Sequence, residues 1–204
     1  MMTMKMCVYV SAGLLFFMCV CLNEQMLEAC SCYPAHPQQL FCYADVVFKA
    51  TVLSKKLIPD KSSMYPGHGD FKYKINITKV YKGFEHAGIK HFFSPEDDGM
   101  CGISLTPGVY LLSGNLVSRH IGHVKKSLTV ELCDIVSHWS TLSKTEKKIL
   151  SVHRKACNCQ VTRCYKEPCD ENKCYLRDTY DPDEDSQSIC MANSTGSCRW
   201  TNAY

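Results

Sequence analysis

Cys30-Ser31-Cys32-Tyr33-Pro34-Ala35-His36-Pro37-Gln38-Gln39-Leu40-Phe41-Cys42 puts three cysteines within thirteen residues, directly behind an apolar leader. Two cysteines around a single residue allow a short segment to be pinned at two neighbouring points. Pro34 favours an extended backbone there and removes one N–H donor. What precedes the stretch decides its chemistry. Lys5 stands ahead of an apolar run from Met6 to Leu22, and a polar stretch, Asn23 to Glu28, leads to the small residue Ala29. This is the pattern of a secretory signal peptide spanning residues 1–29, with cleavage leaving Cys30 as the first residue. The run falls short of the roughly 20 apolar residues that span a bilayer, and no other segment approaches that length, so no membrane span is expected.

Removal of the leader discards Cys7, Cys19 and Cys21 and leaves twelve of the fifteen cysteines, an even number in an oxidising, extracellular compartment. The formal charge of the whole chain is +3. It is spread without a basic stripe, so nucleic-acid binding has no support. Cys30, Cys32, Cys42, Cys101, Cys133 and Cys157 are widely spaced, whereas Cys159, Cys164, Cys169, Cys174, Cys190 and Cys198 crowd together. The reading is two modules, 30–157 and 158–204. The second is too short to bury an adequate core and needs disulfides. Zinc is the competing use of the tail cysteines, but extracellular thiols oxidise and their spacing is loose for one tetrahedral site. Spacing does not select partners, since six cysteines allow fifteen connectivities.

The first module reads mainly as β-structure. Phe71, Tyr73, Ile75 and Ile77 alternate with Lys72, Lys74, Asn76 and Thr78, the period of a half-buried strand. Asp45–Ser54 is β-branched and apolar, Val109–Leu112 follows the Thr106-Pro107-Gly108 turn, and Ser127–Leu132 alternates again. Such a set of strands suggests a barrel or sandwich. One helix is expected from Lys144 to about His153, because Ser143 and Glu146 form a capping-box pattern and Ile149 with Val152 can face a core on which Trp139 packs.

Zincin helices, nucleophile elbows and phosphate-cradling loops are missing from the sequence, which argues against an enzyme. His120 and His123 lack flanking ligands and are read as surface residues. Asn76-Ile77-Thr78 and Asn193-Ser194-Thr195 are glycosylation sequons. The acidic run Asp181–Asp185 reads as a solvated loop of the small module.

The opening stretch, continued by Asp45, resembles the mature N-terminus of the tissue inhibitors of metalloproteinases, whose pattern Cys-x-Cys-x-Pro-x-His-Pro-Gln-x-x-Phe-Cys-x-x-Asp it matches position by position. The likeness extends through Lys79–Phe84, Cys101-Gly102, Cys133-Asp134 with Trp139 and Leu142-Ser143, the Thr162–Cys169 stretch and Cys198-Arg199-Trp200. It covers essentially the whole chain after residue 29.

The resemblance implies a five-stranded OB-type (netrin-like) Greek-key barrel with accessory helices, followed by a small disulfide-stapled module. It implies the pairings Cys30–Cys101, Cys32–Cys133, Cys42–Cys157, Cys159–Cys198, Cys164–Cys169 and Cys174–Cys190. It implies a secreted, monomeric inhibitor that forms one-to-one complexes with zinc metalloproteinases and has no cofactor of its own. Pro-enzymes and extracellular matrix are further partners that the family suggests. In this reading the α-amine and carbonyl of Cys30 ligate the catalytic zinc of the target, in the position a catalytic site keeps open for water. Ser31 points into the pocket beyond the zinc, Cys32, Tyr33 and Pro34 lie along the cleft, and Met100, Cys101, Gly102, Ile103 and Ser104 line its other side. The Lys55–Gly69 connection is a further expected contact. The competing reading is a netrin-like module that binds matrix or growth factors without inhibiting proteases.

Overall fold

The computed structural model describes residues 30–59, 69–119, 125–177 and 188–202. The leader 1–29, His120 and His123, the acidic run 181–185 and most of the Lys55–Gly69 connection lie outside the described residues.

Six strands form the first module: β1 (Val46–Pro59), β2 (Gly69–Lys82), β3 (His91–Pro95), β4 (Gly108–Arg119), β5 (Lys125–Thr129) and β6 (Val136–His138). They pair in the order β1-β2-β3-β5-β4, and β1 pairs with β4 as well, so five strands close into a barrel with β6 added outside β4. Every pairing is antiparallel except β3 with β5. β1 serves both neighbours because register shifts at Val47/Phe48, Lys49/Ala50 and Val52/Ser54 let it bend from one to the other. This is the OB-type barrel that the family resemblance implies.

The alternation in β2 has the expected result. Tyr73 and Ile75 are buried, Phe71 and Ile77 pack partly against the same core, and Lys74, Asn76 and Thr78 are exposed. Phe48, Phe92, Leu112, Leu128 and Val130 complete the barrel interior, where the Tyr73 ring stacks on Phe92 at 4.6 Å between centroids. The strand expected at Ser127–Leu132 differs from the expectation, β5 running from Lys125 to Thr129 instead of reaching Leu132. Val130 still bonds β3 through Phe93 O, but Leu132 N–H donates to Cys101 O, and that draws the chain out of the sheet toward a loop.

The expected helix, α2, runs from Lys144 to Ala156 and is three residues longer than the capping pattern suggested. Ser143 Oγ accepts from Glu146 N–H, and the Glu146 carboxylate accepts from Ser143 N–H. Leu150 and Ala156 are buried apolar residues of this helix, Val152 packs partly, and the side chain of Ile149 lies outside the described residues. Trp139 packs nearby in the cluster formed with Phe41, Tyr81, Leu111 and Leu150. Ser143→Ala is expected to lower stability by about 1 kcal/mol, read as a shift of the urea midpoint at unchanged slope. A midpoint equal to that of the parent protein would contradict this role for the cap.

A second helix, α1 (Pro37–Tyr43), is not foreseen by the strand and helix patterns. Its signals are present but unusual. Pro37 occupies the first turn, and His36 replaces the customary Ser or Thr cap, its Nδ1 accepting from Gln38 N–H at 3.1 Å while Gln39 Oε1 accepts from His36 N–H at 2.8 Å.

The tail holds two small ladders, a parallel pair of β7 (Gln160–Thr162) with β8 (Lys173–Tyr175) and an antiparallel pair of β9 (Ser188–Ala192) with β10 (Cys198–Asn202). Its interior is Cys159, Val161, Cys174, Leu176, Cys190 and Cys198, with Trp200 against them. Disulfide sulfur supplies much of this core, as the composition of so short a module requires. Among the described residues no helix is long and apolar enough to cross a membrane.

Candidate functional site at the crosslinked N-terminal segment

The six disulfides pair as the family pattern implies: Cys30–Cys101, Cys32–Cys133, Cys42–Cys157, Cys159–Cys198, Cys164–Cys169 and Cys174–Cys190. The first two define the site. They anchor residues 30–34, which adopt neither helix nor sheet, to two separate loops, with Cα–Cα distances of 5.3 Å in each bridge. The sulfurs of Cys30, Cys101 and Cys133 lie within 4.8 Å of one another, so the bridges sit side by side. These sulfurs are bonded in disulfides and are not free thiolates awaiting a metal. Between and beyond the bridges, Ser31, Tyr33 and Pro34 stand exposed, and Cys30 is half-buried.

The opposing loop connects β3 to β4. Asp97 Oδ1 accepts from Gly99 N–H at 2.7 Å and Asp97 O accepts from Met100 and Gly102 N–H, forming a tight turn that ends with Cys101 in the left-handed conformation at φ 59°. Gly102 is required by space. A Cβ there would collide with Pro95 O. The barrel holds this loop from beneath: the buried Tyr73 hydroxyl donates to Ile103 O at 2.7 Å and accepts from Leu105 N–H at 3.1 Å, while Ser94 Oγ accepts from Ile103 N–H. Burial pushes the Tyr73 phenol above its ordinary pKa, which keeps it a donor.

The expected contact residues therefore divide. Met100 is 60% exposed and Ser104 is exposed, so both carry accessible side chains. Ile103 gives its side chain to the barrel. At 5% exposure it belongs to the barrel core, because a closed barrel needs an apolar plug where the loop crosses its mouth. Gly102 is likewise buried, so these two residues shape the loop backbone. Of the Lys55–Gly69 connection, Lys55 reaches the site, its Nζ donating to Ser104 Oγ at 2.7 Å and lying 4.5 Å over the Phe71 ring.

Pattern reading missed the contribution of the tail. Arg163 lies 5.1 Å over the Tyr33 ring, and Tyr165 also meets Tyr33, which raises the Tyr165 phenol pKa through their hydrogen bond. Behind them His36 is fully buried, with Trp200 at 5.0 Å between ring centroids. Gln38, also buried, donates from Nε2 to Ala156 O, Cys159 O and Cys190 O and accepts on Oε1 from Cys190 N–H. The module boundary placed near Asn158 is therefore crossed by continuous packing, with α1 on β7 and α2 on β9. The legible signal was a polar Gln38 inside a segment otherwise destined for burial. Asn76 is exposed on β2, whereas Asn193 Oδ1 organises the β9–β10 turn by accepting from Thr195 and Ser197 N–H.

Directly after Cys133, Asp134 caps its own loop, Oδ2 accepting from Glu131 N–H at 2.9 Å. Burial first, and the neighbouring Glu131 charge after it, raise its carboxyl from 3.8 to about 6 despite the Glu131 amide and Ser113 hydroxyl bonds. His153 on α2 moves the opposite way, from 6.5 to about 4, through burial and the nearby His36. The two oppose each other in pH dependence. Stability from protonated Asp134 is complete below about pH 3.8 and is lost as pH rises through about 6. Stability from neutral His153 is complete above about 6.5 and is lost as pH falls through about 4. Asp134→Asn removes the first and leaves the second, so its melting temperature should fall more steeply than that of the parent between pH 6.5 and 4. Parallel melting curves across that window would refute the assignment.

Comparison with known proteins bears on the whole arrangement. Residues 28–200 match the family model described as tissue inhibitor of metalloproteinase. The chain is 32% identical over 191 residues to metalloproteinase inhibitor 4 of Mus musculus, covering 87% of this chain and 82% of that protein. It is 35% identical over 187 residues to metalloproteinase inhibitor 2 of Homo sapiens, covering 85% of this chain and 81% of that protein.

Proposed function

Because the chain belongs to the tissue inhibitor of metalloproteinase family, and is thus a metalloproteinase inhibitor and not an enzyme, we propose that it is secreted and acts through residues 30–34, with Cys30 at the free N-terminus. The observation that carries this reading is the pair of adjacent bridges, Cys30–Cys101 and Cys32–Cys133, which hold an exposed segment against the β3–β4 loop on one side and the β5–β6 connection on the other. A flexible peptide loses binding energy to the ordering of its backbone; this segment is ordered before it meets a partner.

In the proposed mechanism, leader removal exposes the α-amine of Cys30 one chelate ring from its own carbonyl oxygen. The pair occupies the open coordination position of the target's catalytic zinc, displacing the water that serves as nucleophile. Ser31 enters the pocket beyond the metal, and Tyr33 and Pro34 follow the cleft. Pro34 offers no N–H and holds an extended backbone, which suits a segment that occupies the cleft as a substrate does. Met100 and Ser104 contact the opposite wall. Twelve cysteines joined in six disulfides support an oxidising, extracellular destination. The complex is one-to-one, and Asn76 and Asn193 are the proposed glycan acceptors.

Titration of active metalloproteinases with protein beginning at Cys30 tests the function, and substitution at Ser31 tests the site. Ser31→Gly should weaken inhibition about tenfold by removing pocket contacts and a hydrogen-bonding hydroxyl, with the fold unchanged. Equal inhibition constants for the parent and Ser31→Gly across the panel would exclude Ser31 as the pocket residue.

A further inference from the structure

Apart from residues 30–34, an open cavity of about 260 Å³ lies between α1, α2 and the barrel. Leu40, Leu111, Val136 and Leu150 provide apolar wall, and Asp134 and His153 provide polar atoms. Glu146 stands at the exposed side of the same cavity. His153 is the unusual member. It is 3% exposed, and neither ring nitrogen has a hydrogen-bond partner among the described residues. Its ring is held edge-on against Phe41 at 5.5 Å between centroids, so its position is set by packing while its polar atoms go unused. A buried imidazole without partners is a vacancy for a donor or acceptor from outside the chain.

We propose that this cavity binds a small organic cation with a one- or two-ring apolar body, its ammonium at Asp134 and a ring N–H or hydroxyl at His153. The size fits, since a cavity of about 150 Å³ already accepts benzene. The charge follows from the walls: Asp134 and Glu146 are the acidic groups facing the space, and among the described residues no Lys or Arg lines it. At neutral pH His153 is uncharged, because burial holds its pKa at about 4, so it acts as a hydrogen-bonding group and does not repel a cation. An anion of the same shape would meet two carboxylates with no compensating charge.

Tryptamine and indole-3-acetate share a ring system and differ in the sign of the side-chain charge. Each is titrated into isotope-labelled full-length mature protein at pH 7.4, and the amide signals of Asp134 and Leu150 and the imidazole signals of His153 are followed by NMR. Tryptamine should give saturable shifts at these three residues with a dissociation constant at least tenfold below that of indole-3-acetate. Asp134→Asn should weaken tryptamine at least fivefold and narrow the difference between the probes. Ser137→Trp, which places a bulky ring on the lining, should abolish the shifts while the remaining spectrum stays folded. Absence of saturable shifts at His153, equal affinity for the two probes, or undiminished binding by Asp134→Asn would overturn the proposal and leave a cavity occupied by water alone.

Discussion

A protein carrying one alanine ahead of Cys30 is expected to inhibit metalloproteinases about a thousandfold more weakly than one that begins at Cys30, a loss of about 4 kcal/mol. The added residue converts the α-amine into an amide, whose nitrogen neither loses its proton nor donates a lone pair to zinc at neutral pH. One ligand of the chelate is removed, and the new residue must also fit where the metal's water had stood. Nothing else in the fold should change, because Cys30 and Cys32 are held by their sulfurs to Cys101 and Cys133 and not by the backbone amine. Mass spectrometry verifies the extension, circular dichroism and the count of free thiols verify the fold, and inhibition constants give the result. An extended protein of equal potency would end the chelation mechanism. Family membership, which rests on similarity over residues 28–200, would stand unaffected.

The second large effect is expected far from any protease contact. Gln38 is 1% exposed and with its single side-chain amide serves the last carbonyl of α2 together with two carbonyls and one N–H of the tail, at distances of 2.9 to 3.3 Å. Gln38→Leu keeps the approximate volume and removes every one of these partners. The carbonyls of Cys159 and Cys190 and the N–H of Cys190 then lose this partner in a buried place, while Ala156 O keeps the Cys159 N–H, and local relaxation recovers only part of the loss. The expected destabilisation is about 4 kcal/mol. The intact disulfides keep the tail attached, so the change should appear as faster hydrogen exchange at Ile189 and Cys190 together with a lower melting temperature, and not as dissociation. Protection factors within a few-fold of the parent would show that Gln38 merely fills space. The same variant should loosen Arg163 and Tyr165 against Tyr33, because the tail that carries them is seated on α1 through Gln38.

These two predictions fall at opposite ends of what the residues disclose. The Cys30-Ser31-Cys32 spacing is a local feature, legible because disulfide frameworks are written in short stretches. The β2 alternation and the Ser143–Glu146 cap were legible for the same reason: each depends on residues within one element. Helix α1 was not, because its cap is a histidine that only becomes a fixed acceptor when Trp200 packs beside it. The burial of the Ile103 side chain was not legible either, because it depends on the barrel that closes beneath the loop.

Composition, cysteine count and strand periodicity, taken alone, determined a disulfide-dense β-protein with a short stapled tail. The match to a family pattern added the pairing of its cysteines. Only the folded chain decided that Tyr73 props the β3–β4 loop from inside the barrel, that Gln38 joins the tail to α1 across more than a hundred residues of sequence, and that His153 is buried beside an open cavity. The reason is physical. Periodicity and capping report energies that a segment can express by itself, whereas burial of a polar group depends on which distant backbone atoms arrive to satisfy it, and that is settled only when the core closes.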